Sequence, residues 1–344
     1  MTARVSVVRQ GQGPLRERVL EALEWIHWQD AVQPGARVFI KPNLTWHTPM
    51  PGVTTSPEVI EALVSILRER TPHITIGESD GGYHAFRAEE AFEKHRLYEM
   101  ASKYNVQVVS LNRVPAEEVS VAIAGKTVQV LLPTLLVQQT DVFISMPVPK
   151  VHAMTRVSLG FKNQWGCIPD TMRLKNHALF DEKIVAINQL LRPRIVLYDG
   201  TYFLDKSGPM TGEPVPMGLL IAASDIGAGD FVCSTIMGVS PKSVEHFRVA
   251  RRAGMMPAAL QDIQLNDPLD QYIVRRFRLQ RSPLNYVALL GFGHSWLTTL
   301  LYDSPIGTFL HKVLYTIRRI PLIRRLLYGR FGPPADQSGD SEQR

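Results

Sequence analysis

Short runs of apolar, mostly β-branched residues alternate with longer amphipathic segments over the first 240 residues of the chain. The short runs predict strands at residues 5–8, 37–40, 74–77, 106–110, 141–145, 194–198 and 217–223. The longer segments predict helices at residues 15–28, 56–70, 88–104, 181–191 and 228–237. A small hairpin is predicted around Gly125. This alternation predicts an α/β fold with a layered parallel or mixed sheet and helices on both faces.

The remaining third of the chain has a different character, and we divide the sequence accordingly. We predict an α/β domain at residues 1–240, a helical, basic C-terminal region at 241–332 and a disordered tail at 333–344. The net charge is +6, and arginines of the C-terminal region supply much of the excess. Residues 283–302 carry no charged side chain and lie between arginine clusters, and residues 314–328 add a basic stretch at helical spacing.

The C-terminal pattern leaves two interpretations open. In the first, residues 283–328 lie on an anionic membrane surface, which makes the protein cytoplasmic and peripheral on the inner face of the membrane. In the second, they form a helical subdomain or dimer face that covers the α/β core. The N-terminus runs directly into the first predicted strand without an apolar segment, so we expect no signal peptide and a cytoplasmic protein under either interpretation. We expect no nucleic-acid partner.

The chain has two cysteines and no Cys-x-x-Cys pair. These numbers exclude an iron–sulfur cluster or a structural zinc held by cysteines alone within one chain.

Polar side chains follow the predicted strands where these strands end. Because ligands of open α/β sheets bind outside the carboxyl ends of the strands, we expect these side chains to form one pocket. The strand-end residues are Lys41, Asn43, Glu78, Lys150, His152, Asp199 and Asp225. An irregular segment at residues 146–177 adds Lys162, Asn163, Arg173 and His177.

The basic side chains of this set predict a small or lipid-linked substrate with a carboxylate or phosphate group. His152, Lys162 and His177 are the candidates for catalysis, because burial and neighbouring charges can tune such groups to move protons near neutral pH. An alternative is a divalent metal, with candidate ligands His152, His177, Asp225 and Asp230. Asp225 could equally be a helix cap.

The sequence resembles the family known as domain of unknown function 362. The resemblance covers roughly residues 4–240 and rests on these pieces: Lys41-Pro42-Asn43, Thr55-x-Pro57, Gly77-Glu78-Ser79, Pro149-Lys150-x-His152, Thr155, Lys162-Asn163-x-x-Gly166, Arg173, His177, Asp199-Gly200, Gly212-x-Pro214, Gly218, and Asp225 with Asp230 before Met237-Gly238. It implies an α/β domain, found in some members beside a ferredoxin-like module. Because this chain lacks the cysteine motif, a redox or cofactor-related role implies a separate ferredoxin-like partner.

A more remote similarity is to the nickel-pincer lactate racemase family, in which a His, a Lys, a Gly/Pro turn and a second His follow in that order. The counterparts here are His152, Lys162, Gly166 with Pro169, and His177. Three hypotheses therefore remain: a Lys/His acid–base enzyme, a metal-dependent isomerase or racemase-like enzyme, and a non-catalytic membrane-associated partner of an iron–sulfur protein. An enzyme should gather its polar groups in one concave pocket, whereas a partner protein should present them on a flat surface.

Overall fold

The computed structural model describes residues 2–173 and 179–281, the helix Ser295–Tyr302 and isolated positions between 286 and 313. Its strands are β1 (Ala3–Arg9), β2 (Val38–Pro42), β3 (Ile74–Glu78), β4 (Gln107–Ser110), β5 (Ala116–Ile123), β6 (Lys126–Pro133), β7 (Val142–Met146), β8 (Lys150–His152), β9 (Arg156–Ser158), β10 (Ile195–Asp205), β11 (Glu213–Ala223) and β12 (Ile263–Leu265). Its helices are α1 (Leu15–Trp25), α2 (Trp28–Ala31), α3 (Pro57–Leu67), α4 (Ala88–Lys94), α5 (Leu97–Tyr104), α6 (Thr134–Gln138), α7 (Gly160–Asn163), α8 (Phe180–Leu191), α9 (Ile226–Ile236), α10 (Glu245–Arg252) and α11 (Ser295–Tyr302).

One mixed sheet organises the described residues, with strand order β12-β1-β11-β10-β7-β2-β3-β4. The run β10-β7-β2-β3-β4 is parallel, so β7, β2 and β3 all end at the same edge. By contrast, β11 runs antiparallel to both β10 and β1. β8 and β9 form a short hairpin that joins this sheet through β10, and β5 pairs with β6 in a separate hairpin. The predicted α/β class with a mixed sheet is confirmed.

The alternation of side chains along the strands produces two hydrophobic layers. In β7, Phe143 contacts the layer that contains α8, α9 and α10. Its neighbours Val142 and Ile144 contact the opposite layer, which contains α1, α3, α4 and α5. Because successive strand residues point to opposite faces, a fully apolar strand is buried on both sides. Helices therefore cover both faces of the sheet, as predicted.

Several elements differ from the predicted ones. The helix predicted at 88–104 is two helices, α4 and α5, because Arg96 adopts the left-handed conformation with φ of 58° between them. The strand predicted at 194–198 continues to residue 205 and pairs with an equally long β11. The segment predicted to be irregular after residue 146 contains the β8–β9 hairpin.

The described residues beyond 240 pack against the same core. β12 pairs with β1, and Phe247, Tyr272 and Phe277 are buried in the layer formed with α8 and α9. No helix in the described part of the chain is long and apolar enough to cross a membrane. The predicted stretch at 314–328 and the tail at 333–344 lie outside the described residues, as does much of the stretch at 283–302.

Candidate active site

A cavity of about 100 Å³ opens at the shared edge where β2 and β3 end. Seven residues predicted from the sequence line it: Lys41, Asn43, Glu78, His152, Lys162, Asn163 and Arg173. Other residues that line it include Asp80, Phe86, Trp165, Gly166 and Pro209. Phe86 and Pro209 come from loops whose sequence carries no pattern that would place them here.

A buried ion pair forms one side of the cavity. Lys41 Nζ lies 2.5 Å from Glu78 Oε2 and also donates to the Pro42 carbonyl at 2.8 Å. The backbone N–H groups of Leu44 and Ser79 donate to the Glu78 carboxylate at 3.2 and 3.0 Å. A Cβ atom at Gly166 would lie 2.6 Å from Glu78 Oε1, so only glycine permits this close approach. The Lys41 charge is therefore largely compensated within the protein.

Within the part of the chain that the structure describes, no carboxylate lies so close to the Lys162 ammonium group. It lies 5.4 Å from the ring centroids of both Trp165 and Phe180, and it keeps partial access to solvent. Burial and then the positive charges of Arg173 and Lys41 lower its pKa to about 7, while Asp181 opposes the shift. An amine with this pKa is present in both protonation states near neutral pH, so it can take up or release a proton.

His152 is neutral and has a defined tautomer. Its Nδ1 atom accepts from the backbone N–H groups of Met154 at 3.1 Å and Thr155 at 3.4 Å. Burial and the charges of Lys162 and Lys150 hold its pKa well below the usual range. The single ring proton is therefore on Nε2, which makes this atom a hydrogen-bond donor.

Arg173 is anchored by backbone carbonyls. Its guanidinium donates to the carbonyls of Asp170 at 2.9 Å and Asp80 at 3.1 Å. Burial lowers its pKa, although the acidic side chains of Glu78 and Asp170 oppose the shift. Because arginine stays protonated in proteins, this side chain supplies a fixed positive charge.

The helix that carries Lys162 and Asn163 is held at both ends. At its start, Asp230 accepts from the N–H groups of Gly160 at 2.6 Å and Phe161 at 3.0 Å, and from the Tyr198 hydroxyl at 2.6 Å. Burial raises the Asp230 pKa to about 7 against these three hydrogen bonds. At its end, the Asn163 amide donates to the Lys41 carbonyl at 3.2 Å and to Ser145 Oγ at 3.0 Å.

Three predicted pocket residues do not line the cavity. Lys150 is fully buried, donates from Nζ to the Val53 carbonyl at 2.5 Å, and has its pKa lowered to about 7, mainly by burial. Asp199 lies within β10, where Ser56 and Thr201 donate to its carboxylate. Asp225 follows the antiparallel β11, so it lies at the opposite edge of the sheet and caps α9 through the Ala228 N–H at 2.8 Å. His177 lies outside the described residues.

The candidate metal ligands do not come together in the part of the chain that the structure describes, where no group of three His, Cys, Asp or Glu side chains could hold a metal. Asp225 is at the far edge, and the Asp230 carboxylate already accepts three hydrogen bonds. Because His177 is not described, metal binding remains a prediction.

Comparison with known proteins gives a relative and two solved structures. The thylakoid-associated protein sll1697 of Synechocystis sp. is 28% identical over 238 residues, which are 67% of this chain and 72% of the relative. The lactate racemase apoprotein of Thermoanaerobacterium thermosaccharolyticum matches at a TM-score of 0.46 and 15% identity, over 69% of this chain and 57% of that one. A protein of Thermotoga maritima matches at 0.39 and 13% identity, over 66% and 60%. The chain thus spans less than two thirds of either solved chain.

The family comparison agrees with the motifs found along the sequence. The profile described as domain of unknown function (DUF362) matches residues 38–235, which include the parallel strands and the segments that line the cavity. The match extends over more than half of the chain. The chain belongs to the DUF362 family.

Proposed function

We propose that this protein is an enzyme that binds a small anionic group in the cavity and moves a proton through Lys162. The observation that carries the proposal is the Lys162 amine, whose pKa is lowered to about 7 in a cavity that also contains the Arg173 charge. The Lys41 charge is compensated by Glu78, so among the described residues that line the cavity Arg173 and the protonated form of Lys162 are the cations that attract an anion. Strongly shifted groups in a concave site are typical of catalysis.

The size of the cavity supports a small substrate group. A dry protein cavity of about 150 Å³ can hold benzene, and this cavity of about 100 Å³ is smaller. A carboxylate or phosphate with the carbon that bears it suits such a volume. A longer substrate, such as a lipid-linked one, would extend through the opening of the cavity.

The role of each side chain follows from its protonation state. Arg173 binds an oxygen of the anionic group, since charge-assisted hydrogen bonds from guanidinium are strong. The uncharged Lys162 amine accepts a proton from the substrate, and the resulting ammonium returns it to product. The His152 Nε2–H donates to the substrate oxygen on which negative charge develops, a task that suits a neutral imidazole.

The experiment is deuterium uptake from D₂O into small hydroxy acids, keto acids and their phosphate esters, followed by NMR. The native protein should label at least one substrate, Lys162→Met should abolish labelling, and the metal content should be at background. Lys103→Met is the matched control, because Lys103 is exposed and ion-paired to Glu61. Labelling by Lys162→Met at the native rate would overturn the proposal. A stoichiometric metal that His152→Ala or His177→Ala releases would instead favour the metal-dependent isomerase.

We also propose that the protein is peripheral to an anionic membrane on its inner, cytoplasmic face. Support comes from exposed apolar side chains in the C-terminal region, among them Trp296 and Phe309, and from the arginines that precede it. The Synechocystis relative is described as thylakoid-associated. A separate ferredoxin-like partner is proposed from the family resemblance. Flotation of the full chain with vesicles of anionic lipid tests the membrane proposal, and protein that stays at the bottom of the gradient contradicts it.

A further inference from the structure

The loop between β10 and β11, residues 206–212, forms part of the rim of the cavity. Pro209 lines the cavity directly. The carbonyl of Gly208 accepts from the Ala153 N–H at 3.3 Å, next to His152. A Cβ atom at Gly208 would lie 1.9 Å from the Val151 carbonyl oxygen, so the loop packs closely on β8. The position of this loop is therefore fixed relative to His152.

A second segment, residues 273–281, crosses the base of the loop. Arg275 binds Asp205 at 2.9 Å and Glu213 at 2.8 Å, and these two acids face each other where β10 and β11 meet the loop. The Arg278 N–H donates to Asp205 Oδ1 at 2.8 Å. Further along, the Arg281 side chain donates to the Ala153 carbonyl at 2.7 Å. Both segments thus form hydrogen bonds with Ala153, which directly follows His152 at the end of β8.

Apolar and cationic side chains face solvent on these two segments. Met210 is 41% exposed, Ile273 43% and Val274 60%. Arg276 and Arg278 are also exposed, and neither side chain is ion-paired with a carboxylate of the described residues. We call Met210, Ile273, Val274, Arg276 and Arg278 the cavity-rim patch.

We propose that the cavity-rim patch docks on an anionic membrane and places the cavity at the level of the lipid headgroups. Its apolar side chains suit the boundary of the acyl chains, and its exposed arginines suit anionic headgroups. The chain leads from this patch into the uncharged, largely apolar stretch at 283–302 and then into the stretch at 314–328, which combines apolar and basic residues as the patch does. The docking proposal is argued from the exposure and charge of the cavity-rim patch. The idea that a lipid headgroup is the substrate rests on the proposed function.

The test uses fluorescent labels at single introduced cysteines in the full chain. Cys167 and Cys233 are both buried, so Met210→Cys and Val274→Cys can be labelled selectively with an environment-sensitive dye. Tyr98→Cys is the matched control, because Tyr98 is 46% exposed on α5, which packs near β4 at the other end of the sheet. Vesicles of phosphatidylcholine and phosphatidylglycerol with brominated acyl chains should quench the two patch labels and leave the control label bright.

A pair of charge variants tests the electrostatic part. Arg276→Gln with Arg278→Gln should weaken vesicle binding several-fold, whereas Arg194→Gln with Arg252→Gln, at exposed arginines elsewhere, should leave it unchanged. Vesicle binding with unquenched patch labels would show docking through another face, and it would overturn the proposal, as would no binding at all. Orthophosphate binding measured without vesicles tests the cavity separately. If the native protein does not bind orthophosphate, the proposed function is contradicted and the docking result is unaffected.

Discussion

Lys41 and Lys150 are both buried, but their ammonium groups have different partners. Lys41 meets the Glu78 carboxylate, whereas Lys150 meets the Val53 carbonyl. Burial and then the charges of Lys162 and Lys41 lower the pKa of Lys150 to about 7, and its carbonyl partner compensates a buried charge less well than a carboxylate does. The two lysines should therefore affect stability in different ways.

Glu78→Gln should destabilise the fold strongly. Removing one partner of a buried ion pair leaves an uncompensated charge, which costs about 3–5 kcal/mol. The control is Glu61→Gln, since Glu61 pairs with Lys103 at the surface and such pairs contribute about 1 kcal/mol or less. Urea unfolding measures both, and equal small losses would contradict the structural role of the Lys41–Glu78 pair.

The free energy of unfolding should rise with pH above neutrality. The pKa of Lys150 is about 7 in the folded protein and near its ordinary value of 10.5 in the unfolded chain, so between these values the unfolded state binds more protons. The slope from this residue is at most about 1.4 kcal/mol per pH unit. Lys150→Met should remove this share, while the lowered pKa of Lys162 leaves a slope of the same sign. Urea unfolding at several pH values checks this, and an unchanged slope in the variant would refute it.

At the scale of elements, α7 is a single turn whose position depends on Asp230. A helix this short has little stability of its own, so its place is set by tertiary contacts. The Asp230 carboxylate binds two N–H groups at the start of α7 and reaches them from α9. Asp230 is thus a positioning residue for Lys162 and Asn163.

Asp230→Asn should weaken both the fold and anion binding. The NH₂ group of asparagine would face one of the N–H or O–H groups that now donate to the Asp230 carboxylate. That group would lose its acceptor, at a cost of about 1–3 kcal/mol. Asp225→Asn is the control, because asparagine caps a helix about as well as aspartate. The free energy of unfolding and the affinity for orthophosphate should both fall in Asp230→Asn, and both should stay native in Asp225→Asn. If binding stays native while stability falls, Asp230 supports the fold only.

Sequence patterns predicted most strands and helices because burial on two faces produces runs that are easy to distinguish from amphipathic helices. They did not predict strand direction. An apolar run such as β11 reads the same whether it is parallel or antiparallel, and for this reason Asp225 was grouped with side chains at the opposite edge. Lys41, Asn43 and Glu78 meet at the cavity because β2 and β3 are parallel neighbours, whereas the other four predicted residues reach it from β8, α7 and the segment after α7. The contributions of Phe86 and Pro209 depend on loop conformations that local sequence does not determine.

At the scale of the whole molecule, residues 241–281 complete the α/β body. β12 adds a strand beside β1, and the Asn266 side chain bonds the backbone of Val7 in both directions, at 2.8 and 3.0 Å. The burial of Phe247 and Phe277 in the main core adds apolar contact. The division predicted at residue 240 stays a prediction, which truncated chains can test.

A chain that ends at Arg281 should unfold cooperatively in urea, whereas one that ends at residue 240 should not. The shorter chain loses β12 and exposes the apolar surface that Phe247, Tyr272 and Phe277 cover. It should bind the dye ANS, which reports exposed apolar surface. A cooperative, dye-free chain ending at residue 240 would show that the first 240 residues fold as an independent domain.

The central claim is that the cavity binds a small anion through Lys162 and Arg173. Calorimetric titration of orthophosphate into the full chain at pH 7 tests it most directly, with Lys103→Met as the control. We predict binding of one orthophosphate per chain, weakened roughly tenfold or more by Lys162→Met, because the protonated form of Lys162 makes a charge-assisted hydrogen bond to the anion, which contributes about 1.5–3 kcal/mol. The control should bind as the native protein does. Binding that is absent from the native protein, or that is equal in Lys162→Met, would contradict the account.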